Sequence, residues 1–170
     1  MKSKQTKQWV EEFILNPLSL YLVDKKINYA FCGSYRRGAK ELGDIDIIID
    51  GNDGELWDPV HEVFNLNTKE VLWSGQSKLA VVVHNFQIDI RNIPANCWGA
   101  GLLMATGPVG FNVNMRAIAK KKGMLLNEYG LYVRADHRRL AGKTEEEVFR
   151  FLGMRYVVPE ERQNPSWWKK

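Results

Sequence analysis

The chain has 170 residues, 45% of them hydrophobic and 26% charged, enough for one domain or two small lobes with a real core. Its net charge is +4, from 24 basic and 20 acidic residues, with basic side chains gathered in the second half at Lys120, Lys121, Lys122, Arg134, Arg138, Arg139 and Lys143. No run approaches the roughly 18 apolar residues of a membrane span, and no apolar signal core follows the charged Met1-Lys2-Ser3-Lys4, so a soluble, intracellular protein with no membrane partner is expected.

Residues 5–23 carry Trp9, Val10, Phe13, Ile14, Leu18 and Leu22 at helical spacing, with Pro17 as an expected break. A short strand over 28–33 ends in a glycine turn. Residues 44–50, DIDIIID, are β-branched between Gly43 and Gly51 and read as a strand. A helix over 56–64 is followed by strand-like runs over 69–73, 79–83 and 86–91, the last two close enough for a hairpin turning at His84-Asn85. Pro94 closes the sheet region. Helices are predicted over 98–106 and 111–122, separated by the breaker Thr106-Gly107-Pro108 and stopped by Gly123. A strand pair around 125–133 and a helix over 144–152 complete the chain. This is an α+β pattern: a mixed αβ lobe over 1–95 and a smaller α-rich lobe over 96–170, with the boundary near 95–101. Cys32 and Cys97 are far apart, and His61, His84 and His137 form no HxxH or HExxH pattern, which excludes the usual zinc sites.

Asp44 and Asp46 are two apart on a strand, so both point to one face while Ile45 and Ile47 point to the other. Neighbouring carboxylates repel unless a cation lies between them, and oxygen ligands of this kind suit Mg²⁺ with phosphates as further ligands. A D-x-D alone also fits an exposed strand end. Two features shift the balance. Gly33-Ser34 ends the preceding strand, where free backbone N–H groups and a hydroxyl can hold an anion. Ser34 also fits a helix N-cap, but Arg37 one turn on favours phosphate. The second feature is Asp89, which shares a face with Arg91 while Ile88 and Ile90 take the other. If the hairpin lies beside the 44–50 strand, Asp89 completes a carboxylate triad.

Gly33-Ser34-Tyr35-Arg36-Arg37-Gly38, Gly43-Asp44-Ile45-Asp46 and Asp89-Ile90-Arg91 resemble the palm motifs of the family X DNA polymerases, such as polymerase beta. The resemblance continues through Thr106-Gly107, Phe111-Asn112-x-Asn114-Met115-Arg116-Ala117 and Asn127-Glu128-Tyr129-Gly130-Leu131, then through 144–162 with Tyr156 and Pro159. It covers roughly 29–163, and the later motifs are particular to this family. It implies a nucleotidyltransferase palm with a mixed or antiparallel sheet and flanking helices, holding two Mg²⁺ ions for which Mn²⁺ can substitute. Asp44 and Asp46 would bind both ions. Asp89 would bind the catalytic one and accept the proton of the primer 3′-hydroxyl. Gly33, Ser34, Arg37 and Gly43 resemble the triphosphate cradle, with Gly107 also at the nucleotide. Arg91 is similar to the arginine that pairs with the metal-site carboxylates when the enzyme is not poised. Asn112 and Arg116, four apart on one helix face, would meet the minor-groove side of the nascent base pair, and Glu128 and Tyr129 would help to hold the closed lobe.

Two departures matter. Met104 and Ala105 stand where most relatives carry an aromatic pair that excludes a ribose 2′-hydroxyl, so weak sugar discrimination is expected. Val109 replaces a polar residue near the incoming base. Some 28 residues precede the first palm strand, too few for a lyase domain or helix-hairpin-helix clamp, so the chain resembles the minimal virus- or phage-type form. Candidates for gripping DNA are Lys2, Lys4, Lys7, Lys120–Lys122 and the tail Trp167-Trp168-Lys169-Lys170. The expected function is gap-filling, template-directed DNA synthesis in repair by a monomer, with primer-template DNA and nucleoside triphosphates as partners. The alternatives are nucleotide addition without a template and a non-catalytic DNA-end-binding module.

Overall fold

The computed structural model describes residues 4–50, 58–65, 71–164 and 166. The expected strand start at 69–70, the helix start at 56–57, Lys2 and the Trp167–Lys170 tail lie outside the described residues. The chain divides into two compact units: Met1–Tyr35 with Ala39–Asn92, and Arg36–Gly38 with Ile93–Lys170.

In the first unit, β1 (Gln5–Thr6) leads into α1 (Lys7–Val10), a π-helical segment (Glu11–Leu15) and α2 (Asn16–Asp24). The helical run passes Pro17 without the expected break. The wide π segment, with the Asn16 N–H bonded to the Glu11 carbonyl, places Pro17 in the first turn of α2, where a missing N–H costs nothing. Val10, Ile14, Leu15, Leu18 and Leu22 are all buried against the sheet.

That sheet is built from β2 (Asn28–Phe31), β4 (Asp44–Asp50), β5 (Val71–Ser74), β6 (Lys78–Val83) and β7 (Phe86–Asn92) in the order β2-β4-β7-β6-β5. Between β2 and β4 lie α3 (Gly33–Arg36), which runs across the division between the units, and β3 (Glu41–Leu42), which pairs with β1. The helix α4 (Asp58–Phe64) follows β4. The sheet is mixed, because β4 and β7 run parallel and the other pairs antiparallel. Period-two alternation fills one face with Ile45, Ile47, Ile49, Leu79, Val81, Val83, Ile88 and Ile90, all in the core. The β6–β7 turn falls at His84-Asn85 as expected; both residues have positive φ, +50° and +62°, which matches the strand twist of a two-residue hairpin.

The second unit contains α5 (Trp98–Thr106), α6 (Val109–Lys121), the meander β8 (Met124–Asn127), β9 (Gly130–Val133) and β10 (Arg139–Ala141), then α7 (Glu145–Phe151) and a 3₁₀ turn (Pro159–Gln163). Its core gathers Leu103, Phe111, Met115, Ala119, Leu131, Val148, Phe149 and Leu152. The sequence predicts the β8–β9 pair but not β10, which makes a three-stranded sheet beside the helices. Gly99 is required by close approach. Its N–H bonds the Lys143 carbonyl, and a Cβ there would lie 2.1 Å from the Thr144 carbonyl carbon.

Candidate active site

In the first unit, parallel pairing sets Asp46 opposite Asp89 and Asp44 opposite Gln87, so all three aspartates share the sheet face away from the core. All three are half-buried. The conditional adjacency in the sequence reading is therefore realised by the backbone. Two carboxylates about 5 Å apart repel by about 3 kcal/mol at an effective dielectric near 20, which favours a cation between them. Among the described residues no three His, Cys, Asp or Glu side chains converge on a metal-sized point. Asp89 Oδ2 instead accepts a hydrogen bond from Gln87 Nε2 at 2.8 Å. Sequence reasoning passed over Gln87, although its parity matches that of Asp89.

Gly33 abuts this pair of strands. The Cys32 N–H donates to the Asp46 carbonyl at 2.7 Å, locking the end of β2 to β4. Gly33 has φ +58°, and a Cβ on it would lie 2.3 Å from Asp46 Oδ2. Only glycine leaves that carboxylate oxygen its place. Ser34 sits inside the first turn of α3 rather than ahead of it, so it is not an N-cap. Arg91 shares the aspartate face, paired with Ile48 and Lys78. Among the described residues it forms no ion pair with the aspartates, and its Nε is buried without a hydrogen-bond partner.

In the second unit, Arg37, Gly107 and Asn112 come together. Arg37 Nη1 donates to the Thr106 carbonyl. A Cβ on Gly107, which has φ +60°, would meet Arg37 Nη1 at 3.6 Å and Asn112 Nδ2 at 3.9 Å. Asn112 Nδ2 donates to the Met104 carbonyl at 2.8 Å, while its Oδ1 is buried with no hydrogen-bond partner. Arg116, exposed one turn on, reaches the Met104 sulfur at 3.7 Å. Glu128 and Tyr129 occupy the β8–β9 turn, shaped by Asn127 Oδ1 accepting from the Tyr129 and Gly130 N–H groups. No described contact joins them to Asn112 or Arg116.

A buried ionic group was not foreseen. Glu145 and Arg162 are 3% and 1% exposed. Glu145 accepts from both Arg36 terminal nitrogens at 2.9 and 2.7 Å, from Arg162 Nη1 at 2.9 Å and from the Tyr156 hydroxyl at 2.9 Å. Arg36 also donates to Thr106 Oγ1 at 2.8 Å. The Arg162 guanidinium lies over the rings of Phe111, Phe149 and Tyr156, 5.2 to 5.9 Å from their centroids. Burial pushes the Glu145 carboxyl up, but the bonds and charges of Arg36 and Arg162 outweigh it and hold the carboxyl below the usual range. Burial, then Glu145, raises the Tyr156 hydroxyl. The sequence marks Glu145 only as an acid in a helix's first turn, indistinguishable there from Glu146.

A mixed sheet carrying paired aspartates beside a Gly-Ser turn defines a nucleotidyltransferase. Comparison with known families sharpens the class: residues 7–95 match the DNA polymerase beta palm, and residues 101–163 the DNA polymerase beta thumb. The chain is 32% identical to DNA polymerase lambda of Rattus norvegicus over 77% of its own length, and it spans 28% of that protein. It is 31% identical to the Repair DNA polymerase X of African swine fever virus (isolate Warthog) over 79% of its length, spanning 81% of the viral protein. For the Badajoz strain the identity is 30% at the same coverage. The chain belongs to the family X DNA polymerases. Membership places it among DNA-directed DNA polymerases, enzymes of the nucleotidyltransferase class whose viral relatives bear repair in their names.

Proposed function

We propose that this chain adds nucleotides to a primer 3′-hydroxyl in the order set by a DNA template, filling short gaps, with Asp44, Asp46 and Asp89 as the reacting centre. The observation that carries the proposal is the in-register pairing of Asp46 with Asp89 on adjacent parallel strands, next to a glycine whose missing Cβ leaves room for an Asp46 oxygen. Three carboxylates on one face of adjacent strands are the all-oxygen kind of donor that suits Mg²⁺, with Mn²⁺ as a substitute, once their side chains turn toward one point. Asp44 and Asp46 would hold both ions and Asp89 the one beside the hydroxyl. Such ions acidify the hydroxyl and offset charge on the phosphates.

Asp89 takes the proton of the 3′-hydroxyl. The freed oxygen bonds to the α-phosphorus as the bond to the bridging oxygen breaks, and pyrophosphate leaves. Gly33, Ser34, Arg37, Gly43 and Gly107 orient the triphosphate. Asn112, whose Oδ1 lacks a partner, and Arg116 supply polar contacts for the nascent base pair. Arg91, on the aspartate face but not ion-paired with the aspartates here, would have to turn toward them to steady the carboxylates, and Glu128 and Tyr129 support the closed state.

The direct test offers each of the four nucleotides, in deoxy and ribo form, opposite each template base of a one-nucleotide gap. Addition restricted to the complementary base supports the proposal, and addition regardless of template overturns it. Because Met104 and Ala105 replace an aromatic pair, the ribonucleotide is expected within about 100-fold of its deoxy counterpart, about 2.7 kcal/mol. A much larger gap would show that another residue excludes the 2′-hydroxyl.

A further inference from the structure

We infer that Trp73 is a DNA-binding residue that packs against the deoxyriboses of the primer strand about three nucleotides behind its 3′ end. The inference rests on the polymerase reading above. Register carries it. Asp46 pairs with Asp89, Asp89 with Ala80, and Ala80 with Trp73, so one row across the sheet runs from the metal carboxylates to Trp73 on β5. Directly paired residues point to the same face. Trp73 therefore shares the aspartate face, two strand spacings or about 10 Å from Asp89.

The indole is 50% exposed, on an edge strand where Leu72 and Ser74 are exposed as well, so its ring is open to a partner. It is also held in place. The ring lies over Gly75, where a Cβ would come within 2.5 Å of Trp73 Cη2, and Lys78 Nζ sits 5.7 Å from its centroid. Between Trp73 and Asp89 the row carries only the methyl group of Ala80, which leaves a shallow floor. Lys78 and its cross-strand partner Arg91 put two positive charges on the same face, complementary to a phosphodiester chain.

The direction of the strand follows from the Gly-Ser turn. Gly33 and Ser34 follow β2 and lie on the β2 side of Asp46, so the triphosphate occupies that side. The strand receiving the nucleotide then leaves over β7, β6 and β5. At a rise of about 3.4 Å per nucleotide, 10 Å corresponds to about three nucleotides. Bases there are paired and stacked, which leaves the sugars of the backbone for the indole.

The test measures binding of a labelled hairpin primer-template with a chain-terminated 3′ end to the wild type, Trp73→Ala and Trp73→Phe. Trp73→Ala is expected to raise Kd about fivefold, the low end for an aromatic–nucleic acid contact, and Trp73→Phe to recover most of it. In extension assays the loss appears in the KM for DNA and not in the KM for nucleotide. A scan of single 2′-O-methyl groups along the primer should weaken wild-type binding at nucleotides two to four from the end, and not weaken Trp73→Ala further. Equal affinity of the wild type and Trp73→Ala, or a scan without position dependence, overturns the inference; the scan decides even if Trp73→Ala folds poorly. A wild type that extends no primer would instead overturn the polymerase reading.

Discussion

At Gly33 two constraints meet, a positive φ and contact with a carboxylate oxygen, and each alone would select glycine. A Gly33→Ala chain must displace the Asp46 side chain or shift β2 against β4, and must also strain the backbone at φ +58°. Strain of this kind costs on the order of 1–2 kcal/mol, so the protein should still fold. The displaced carboxylate should lower kcat by about 100-fold, since ångström-scale misplacement costs that much. Primer extension alongside thermal unfolding checks this, and wild-type activity in Gly33→Ala would show that the contact has no catalytic weight. What the sequence shows at this site is the shared face of Asp44 and Asp46 and the parity of Asp89, which point to phosphate and metal chemistry only when taken together with Gly33-Ser34. Gln87 was not legible, because a glutamine at the right parity carries no signal until its neighbour across the ladder is known.

Elements differ in how far pattern reveals them. Alternation in 44–50 and 86–91 identifies two strands and their faces, but not that β7 lies parallel to β4 with β5 and β6 inserted between them in sequence. That pairing depends on long-range packing, as does the addition of β10 to the β8–β9 pair. The helical run through Pro17 and the buried Glu145 of α7 are further cases where tertiary context overrides the local signal. Glu145 ties Arg36, just after the Gly-Ser turn, to α5 through Thr106 and to the 3₁₀ turn through Arg162. Glu145→Ala would strand the fully buried Arg162 and should destabilise the fold by about 3–5 kcal/mol, roughly 10 °C in Tm. A loss below 1 kcal/mol would contradict this account. Acid titration adds a second readout. The folded-state carboxyl is held below its unfolded value, so its stabilisation is complete above the ordinary glutamate range near pH 4.3 and is lost as pH falls through the lowered folded value. Glu145→Gln should lose that part of the acid dependence.

For the whole molecule, alternation and helical spacing point to the α+β class, while the mixed sheet and the polymerase family follow only from the resemblance of the spaced motifs. What it could not reach was the identity of the DNA-gripping surface, since basic residues on a solvated helix end look the same whatever they bind. Lys120, Lys121 and Lys122 are all exposed at the end of α6. If they meet phosphates, replacing all three with alanine should flatten the dependence of log K on log salt by about 0.9 for each phosphate no longer neutralised. An unchanged slope would remove them from the interface. The most direct test of the central claim is single-nucleotide extension of gapped DNA in Mg²⁺ by the wild type and by Asp89→Ala. The account predicts templated addition by the wild type, a drop of at least about 1,000-fold in the variant, and DNA affinity retained in both. Undiminished extension by Asp89→Ala would contradict it.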